Sequence, residues 1–317
     1  MDSLLFSLNS VGPVFLVIGL GFFIKSVGMV DEQFVDTVNK LNFKVGIPTL
    51  LFSNIYAANI RETFNPKLLT FVLCSLTGVV LALWVAVPLF VKDKGKASAV
   101  IHTVFRNNTI LLGIPLAANM FGERGVALIS FVMPVTIPIY NFLGVVLLIS
   151  FGEAGDENYG QKIKSTVAQI VRNNLILASI AAVLIQLLSF RLPYFVESAV
   201  TSVASMSTPL ALITLGAQLD MRKVSSNLKY SLAATFLKLV AVPAVVLSVA
   251  VAAGFQGVEL GVIFILFASP TAVTCYIMAR EMNSNYELTG DVVLLSTFFS
   301  MFTMFIGIYL MKSLSLI

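Results

Sequence analysis

The sequence predicts an all-α integral membrane protein of ten transmembrane helices, built as two inverted five-helix repeats. Three observations predict it: an excess of apolar residues, the length of the apolar runs, and prolines that recur at a fixed interval. Of 317 residues, 58% are hydrophobic and 11% charged, and mean hydropathy is +0.95. A soluble domain has about 45–50% apolar and about 25% charged residues.

A spanning helix needs about 20 mainly apolar residues. Ten stretches qualify: α1 at 5–28, α2 at 34–57, α3 at 67–91, α4 at 97–121, α5 at 125–151, α6 at 166–189, α7 at 194–217, α8 at 227–253, α9 at 257–279 and α10 at 287–313. The N-terminal "MDSLLFSLNS" has no basic n-region and no A-x-A cleavage site, so it opens α1 and is not a signal peptide. The longest polar stretch, "GEAGDENYGQKIKS" (152–165), separates a first repeat (1–151) from a second (166–317).

The prolines relate the halves. Pro88 in α3 and Pro243 in α8 are 155 residues apart, as are Pro115 in α4 and Pro270 in α9, while Pro48 in α2 and Pro209 in α7 are 161 apart. With five helices per half, the second copy enters the membrane from the opposite side, which is the inverted repeat common among secondary transporters. Loops on one side hold eleven Lys and Arg and those on the other five. The excess places the linker in the cytoplasm and both termini outside a cell membrane.

Several function classes are excluded. A formal charge of +4 with no basic stripe interleaved with aromatics gives no nucleic-acid surface. Cys74 and Cys275 lie inside apolar runs without metal-type spacing and read as buried free thiols, so neither a metal nor a cofactor is expected. One His, no H-E-x-x-H, no G-x-S-x-G and no paired intramembrane aspartates leave no enzyme chemistry.

A proline inside a helix removes a backbone bond, and the carbonyls it frees need partners other than lipid. Matched breaks at Pro115 and Pro270, with Asn107, Asn108 and Thr109 beside one and Ser269, Thr271 and Thr274 beside the other, mark a substrate site at the membrane midplane. A harmless kink is the competing reading of any single proline. Arg106 and Lys238 fall near the bilayer centre, where each needs a partner or a purpose. For Arg106 the competing partner is freed carbonyls, and for Lys238 an acid such as Asp291. Lys40 and Lys44 are expected to snorkel to the cytoplasmic face. Buried positive charge without an acidic cluster favours an anionic ligand. Tyr140 and Asn141 in "PIYNFLG" are candidate pocket residues, against a packing role; His102 reads as an interfacial or packing histidine.

The stretch "NNTILLGIPLAANMFG" resembles the crossover helix of the auxin efflux carrier family, which includes plant PIN-like carriers and bacterial malonate- and malate-type organic-acid permeases. The shared core is N-T-x-x-x-G-I-P-L, here Asn108, Thr109, Gly113, Ile114, Pro115 and Leu116. "VNKLNFKVGIPTLLF", "VRNNLILAS", "LKLVAVPAVV" and "ASPTAVTCYIMARE" resemble its second, sixth, eighth and ninth helices in order. The chain departs from the plant members in having no charge in "TFVLCSLTG" and in having Leu51 where they have a serine.

The resemblance implies a crossover of broken helices α4 and α9, a fold like that of bile-acid symporters and antiporters. It also implies a homodimer with a scaffold of α1, α2, α6 and α7 and a transport domain of α3–α5 and α8–α10 that moves as an elevator. The function implied is secondary transport of small organic carboxylates. Asn108 matches the family's substrate-contacting position, Pro115 and Pro270 its crossover prolines, and Lys238 a similarly placed basic residue. The alternatives are a sodium-coupled bile-acid-type symporter and a membrane sensor that binds a ligand without moving it.

Overall fold

In a chain this apolar, backbone groups without water must bond within their own segment, so the elements are helices. The computed structural model of the protein describes residues 2–58, 65–151, 174–188, 190–219, 228–282 and 284–317, with Lys164 and Ala168. The central linker apart from Lys164, the start of α6 including Arg172 and Asn173, and the loop cations Arg61, Lys162, Arg222 and Lys223 lie outside the described residues. Among the described residues every regular element is helical.

The first helix, α1, is Asp2–Ser26. The second, α2, runs as Glu32–Leu41, a π turn Asn42–Gly46 and Ile47–Ala57. Asp31 caps it, its side chain accepting from the Phe34 amide at 2.7 Å. Next is α3, Pro66–Phe90. The first half of α4, α4a, is Lys94–Phe105 and is capped by Asp93; the helix resumes in a π turn Thr109–Gly113. The stretch Ile114–Phe151 contains the rest of α4 and α5, divided at Gly122 (φ 60°, ψ −145°), a left-handed turn that glycine adopts without a Cβ penalty.

The described part of α6 is Asn174–Leu187, and α7 is Tyr194–Ala217. Helix α8 runs as Leu228–Phe236, a π turn Leu237–Ala241 and Val242–Ala252. Helix α9 is split into α9a, Gly257–Ala268, and α9b, Thr274–Glu281. Last is α10, Tyr286–Ser313.

Among the described residues, six helical stretches are long and apolar enough to cross a membrane: Asp2–Ser26, Pro66–Phe90, Thr109–Leu148, Tyr194–Ala217, Leu228–Ala252 and Tyr286–Ser313. This supports an integral membrane protein, with six clear spans where the sequence leads one to expect ten. Thr109–Leu148 joins two expected spans across Gly122. Two shorter apolar helices are Asn174–Leu187 and Gly257–Ala268; the second is short because α9 is broken. Helix α2 carries Asp36, Lys40 and Lys44 in its first two-thirds.

The three π turns among the described residues share one cause. Each ends two residues before a proline: Gly46 before Pro48, Gly113 before Pro115, Ala241 before Pro243. Proline lacks the N–H for the bond to residue i−4, and its ring collides with that carbonyl. A locally widened turn relieves both. The carbonyl freed ahead of Pro48, that of Lys44, accepts from Asn174 Nδ2 at 3.2 Å. Pro13, Pro88 and Pro209 lie within α-helices that carry no π turn.

The chain divides into two units. The first comprises Met1–Asn65, Ile110–Val135 and Ile170–Leu219. In it α1 and α7 meet backbone to backbone through a reciprocal glycine pair. A Cβ on Gly21 would stand 2.1 Å from Ile213 O, and one on Gly216 1.9 Å from Ile18 O. Small residues permit the close approach on which helix packing in lipid depends. Gln186 Nε2 lies within hydrogen-bond distance of the carbonyls of Ile55 (2.5 Å), Tyr56 (2.7 Å) and Ala58, so that its two N–H groups are shared among them at the end of α2.

The second unit comprises Pro66–Thr109, Thr136–Gln169 and Asp220–Ile317. Here α10 packs on α9a at Gly307, where a Cβ would meet the Phe264 ring at 2.5 Å.

Candidate functional site

The second unit contains the break in both α4 and α9. In α9 the helix stops at Ser269, which precedes Pro270 and takes the extended angles (φ −58°, ψ 144°) that a following proline favours. In α4 the outcome departs from the expectation that Pro115 makes the break. Helix α4a ends at Phe105, Arg106 is extended (φ −91°, ψ 119°), and Pro115, nine residues on, produces only the π turn. The competing stabilisation comes from across the site. Residues 106–108 pair antiparallel with 270–272, through an Asn107–Thr271 bridge, Asn108 N to Pro270 O at 2.8 Å and Ala272 N to Arg106 O at 3.4 Å. Two broken helices thus satisfy each other's backbone, as they must where water is absent.

Every carbonyl left over at the end of α4a has a donor. His102 O faces Cys275 Sγ at 3.9 Å, and Thr103 O accepts from the Thr271 hydroxyl at 2.8 Å. Val104 O accepts from Lys238 Nζ at 3.0 Å, Phe105 O from Asn107 Nδ2 at 3.4 Å, and Arg106 O from Lys238 Nζ at 3.4 Å. Lys238 Nζ also donates to Asn107 Oδ1, and Asn107 Nδ2 donates to Tyr140 Oη at 2.9 Å.

The candidate residues therefore separate into two groups. Lys238, Asn107, Ser269 and Thr271 are engaged with the protein itself. An ammonium has three protons, and the Lys238 ammonium has three acceptors. The competing reading, in which Lys238 pairs with an acid such as Asp291, is not what is found: Asp291 Oδ2 accepts from Ser231 at 3.2 Å. Ser269 Oγ is folded back on Ile265 O at 2.5 Å, and the Thr271 amide donates to Ser296 Oγ at 3.1 Å.

The other group keeps hydrogen-bonding capacity. Arg106, 7% exposed, uses one guanidinium nitrogen on Met278 Sδ (2.7 Å) and another on Asn141 Oδ1 (2.6 Å). A guanidinium has five N–H donors, and no carboxylate contacts it among the described residues. Asn108 Nδ2 and Thr109 Oγ1 are buried without a partner, at 6% and 5% exposure. Tyr140 Oη accepts from Asn107 and so still has its own proton to donate. Thr274 is half-buried at the first turn of α9b.

Gly113 and Pro115 belong to the first unit. Lys40 and Lys44 are exposed.

Sequence reasoning missed two members, Met278 and Gly144, and left His102 open between an interfacial and a packing role. His102 is fully buried in the last turn of α4a, which agrees with packing, and neither ring nitrogen has a partner among the described residues. In the helix expected at 97–121 its spacing of four from Arg106 places both on one face, although Arg106 lies past the end of α4a. Met278 was not marked by any pattern. Gly144, four residues after Tyr140, is where a Cβ would meet His102 Nε2 (3.1 Å), Met278 Cε (3.3 Å) and Arg106 Nη1 (3.4 Å).

Among the described residues the arrangement is a buried cationic centre with free donors and no carboxylate in contact with Arg106, which can bind an anion. Residues 6–308 match the family described as "Membrane transport protein". An uncharacterized transporter of Methanocaldococcus jannaschii is 22% identical over 295 residues, 91% of this chain and 93% of that protein. One from Methanothermobacter thermautotrophicus is 23% identical over 303 residues, covering 93% and 95%. The uncharacterized transporter YfdV of Escherichia coli K12 is 26% identical over 301 residues, covering 92% and 93%.

Proposed function

Because this chain belongs to the membrane transport protein family, that of the auxin efflux carriers, we propose that it is a secondary transporter of small organic carboxylate anions. The substrate carboxylate sits at the crossing of 106–108 with 270–272. Asn108 Nδ2, Thr109 Oγ1 and the Tyr140 hydroxyl donate to it, and the Arg106 guanidinium supplies the counter-charge. The observation that carries this reading is that, among the described residues, the buried Arg106 touches no carboxylate and lies next to two buried polar groups without partners. Leaving such groups unpaired costs about 1–3 kcal/mol each, and an anion with several acceptor lone pairs removes that cost.

Transport proceeds by alternating access across a cell membrane, in a homodimer of ten-span inverted-repeat subunits with both termini outside. The scaffold is α1, α2, α6 and α7, and the moving elevator is α3–α5 and α8–α10. Support for a moving body comes from the grouping of α3, α4a, α8, α9 and α10 in one unit.

The test is uptake of radiolabelled organic acids, mono- and dicarboxylates and indole acids, into proteoliposomes with and without proton and sodium gradients. Saturable uptake of at least one acid is expected. Saturable binding with no flux of any acid would instead identify a membrane sensor.

A further inference from the structure

Lys238 has three oxygens around its ammonium: Val104 O, Arg106 O and Asn107 Oδ1. Two are main-chain carbonyls at the broken end of α4a, and the third is a side-chain amide in the break. The nitrogen lies on the π turn of α8, inside the second unit, at 1% exposure. A set of freed carbonyls at a half-helix C-terminus is the arrangement with which broken-helix transporters hold a small coupling cation. The helix dipole adds about half a negative charge at that end. Here a covalently attached cation stands in that place.

Among the described residues no other charged group contacts these oxygens; Arg106 O also accepts from the Ala272 amide at 3.4 Å. The Arg106 guanidinium faces Met278 and Asn141 while its carbonyl faces Lys238. All three Lys238 protons point at the cage, so none is left for a substrate.

We propose that the Lys238 ammonium fills a built-in monovalent-cation site, which makes the protein independent of a coupling cation and leaves a latent site that sodium or ammonium enters when the side chain is shortened. The inference extends the transport reading by assigning its coupling, but the cage itself is defined by geometry that contains no substrate.

The test is thermal unfolding of the purified full chain, wild type and the variants Lys238→Ala, Lys238→Ser and Lys238→Met. It is run in sodium, ammonium or choline chloride at equal ionic strength and without organic acid. The wild-type Tm is expected to be the same in all three salts. Lys238→Ala and Lys238→Ser are expected to be less stable in choline, and to be stabilised saturably by sodium or ammonium as the cation binds the folded state. Lys238→Met, which fills the space, shows no such rescue.

A sodium-dependent Tm in the wild type overturns the proposal. So does the absence of any cation response in both short variants, or failure to recover either of them folded in every salt. In proteoliposomes, wild-type flux is expected to be unchanged when choline replaces sodium. Because the unfolding assay contains no carboxylate, its failure is distinct from a failure to find an organic-acid substrate.

Discussion

In α2 a π turn, Asn42–Gly46, precedes Pro48; in α8 a π turn, Leu237–Ala241, precedes Pro243. Each turn contains one lysine. Lys44 is four residues before its proline and exposed, whereas Lys238 is five before its proline and buried. One residue of shift turns a side chain by about 100° around a helix. The buried polar residue of the first turn is Asn42, which donates to Ser207 O at 2.9 Å and leaves Asn42 Oδ1 and Ser207 Oγ without partners. Both of those atoms crowd the point where a Cβ on Gly46 would stand, at 2.1 and 2.6 Å. A π turn before a proline is thus a backbone device, common to both units. What distinguishes the turn in α8 is a charge that meets the oxygens of a broken helix.

Removing the charge breaks the comparison most sharply. Lys238→Met leaves Val104 O and Asn107 Oδ1 buried without that donor and should destabilise the protein by about 1–3 kcal/mol for each, read as a lowered Tm in detergent. The same change at exposed Lys44 should leave Tm unmoved. Equal effects would mean that the oxygens around Lys238 are not what hold it.

A smaller effect is expected at Gly46→Ala, where the added methyl must displace Asn42 or Ser207, at about 1–3 kcal/mol. Full stability would show that the Asn42–Ser207 contact is loose. Tyr140→Phe removes the acceptor of Asn107 Nδ2 and should cost about 1 kcal/mol. It should also weaken anion uptake, because the hydroxyl proton is lost; uptake equal to wild type would remove Tyr140 from the site.

Much of this organisation was legible in the chain. The equal spacing of Pro115 and Pro270 brought α4 and α9 together, and the runs of apolar residues located the helices. The position of the break in α4 was not legible, because it comes from pairing with Pro270–Ala272 and not from Pro115. Nor was the role of Lys238, since burial depth says that a cation needs partners without saying which carbonyls supply them. For His102 the sequence left an interfacial and a packing role open for a related reason: distance from a helix start measures depth along one helix, while its burial comes from neighbours on α5 and α9. Asn108 was a candidate from the sequence, but its standing as an unpartnered donor emerges only when every neighbour has been assigned.

That standing gives the most direct test. Because Asn108 Nδ2 has no partner, Asn108→Ala orphans no protein group and the variant should unfold at the wild-type Tm. Calorimetric titration with a transported organic acid should show saturable binding to the wild type, equal binding to Asn42→Ala, and at least about a tenfold weaker affinity for Asn108→Ala, which corresponds to about 1.4 kcal/mol. Wild-type affinity in a folded Asn108→Ala would contradict the assignment of the crossover as the anion site.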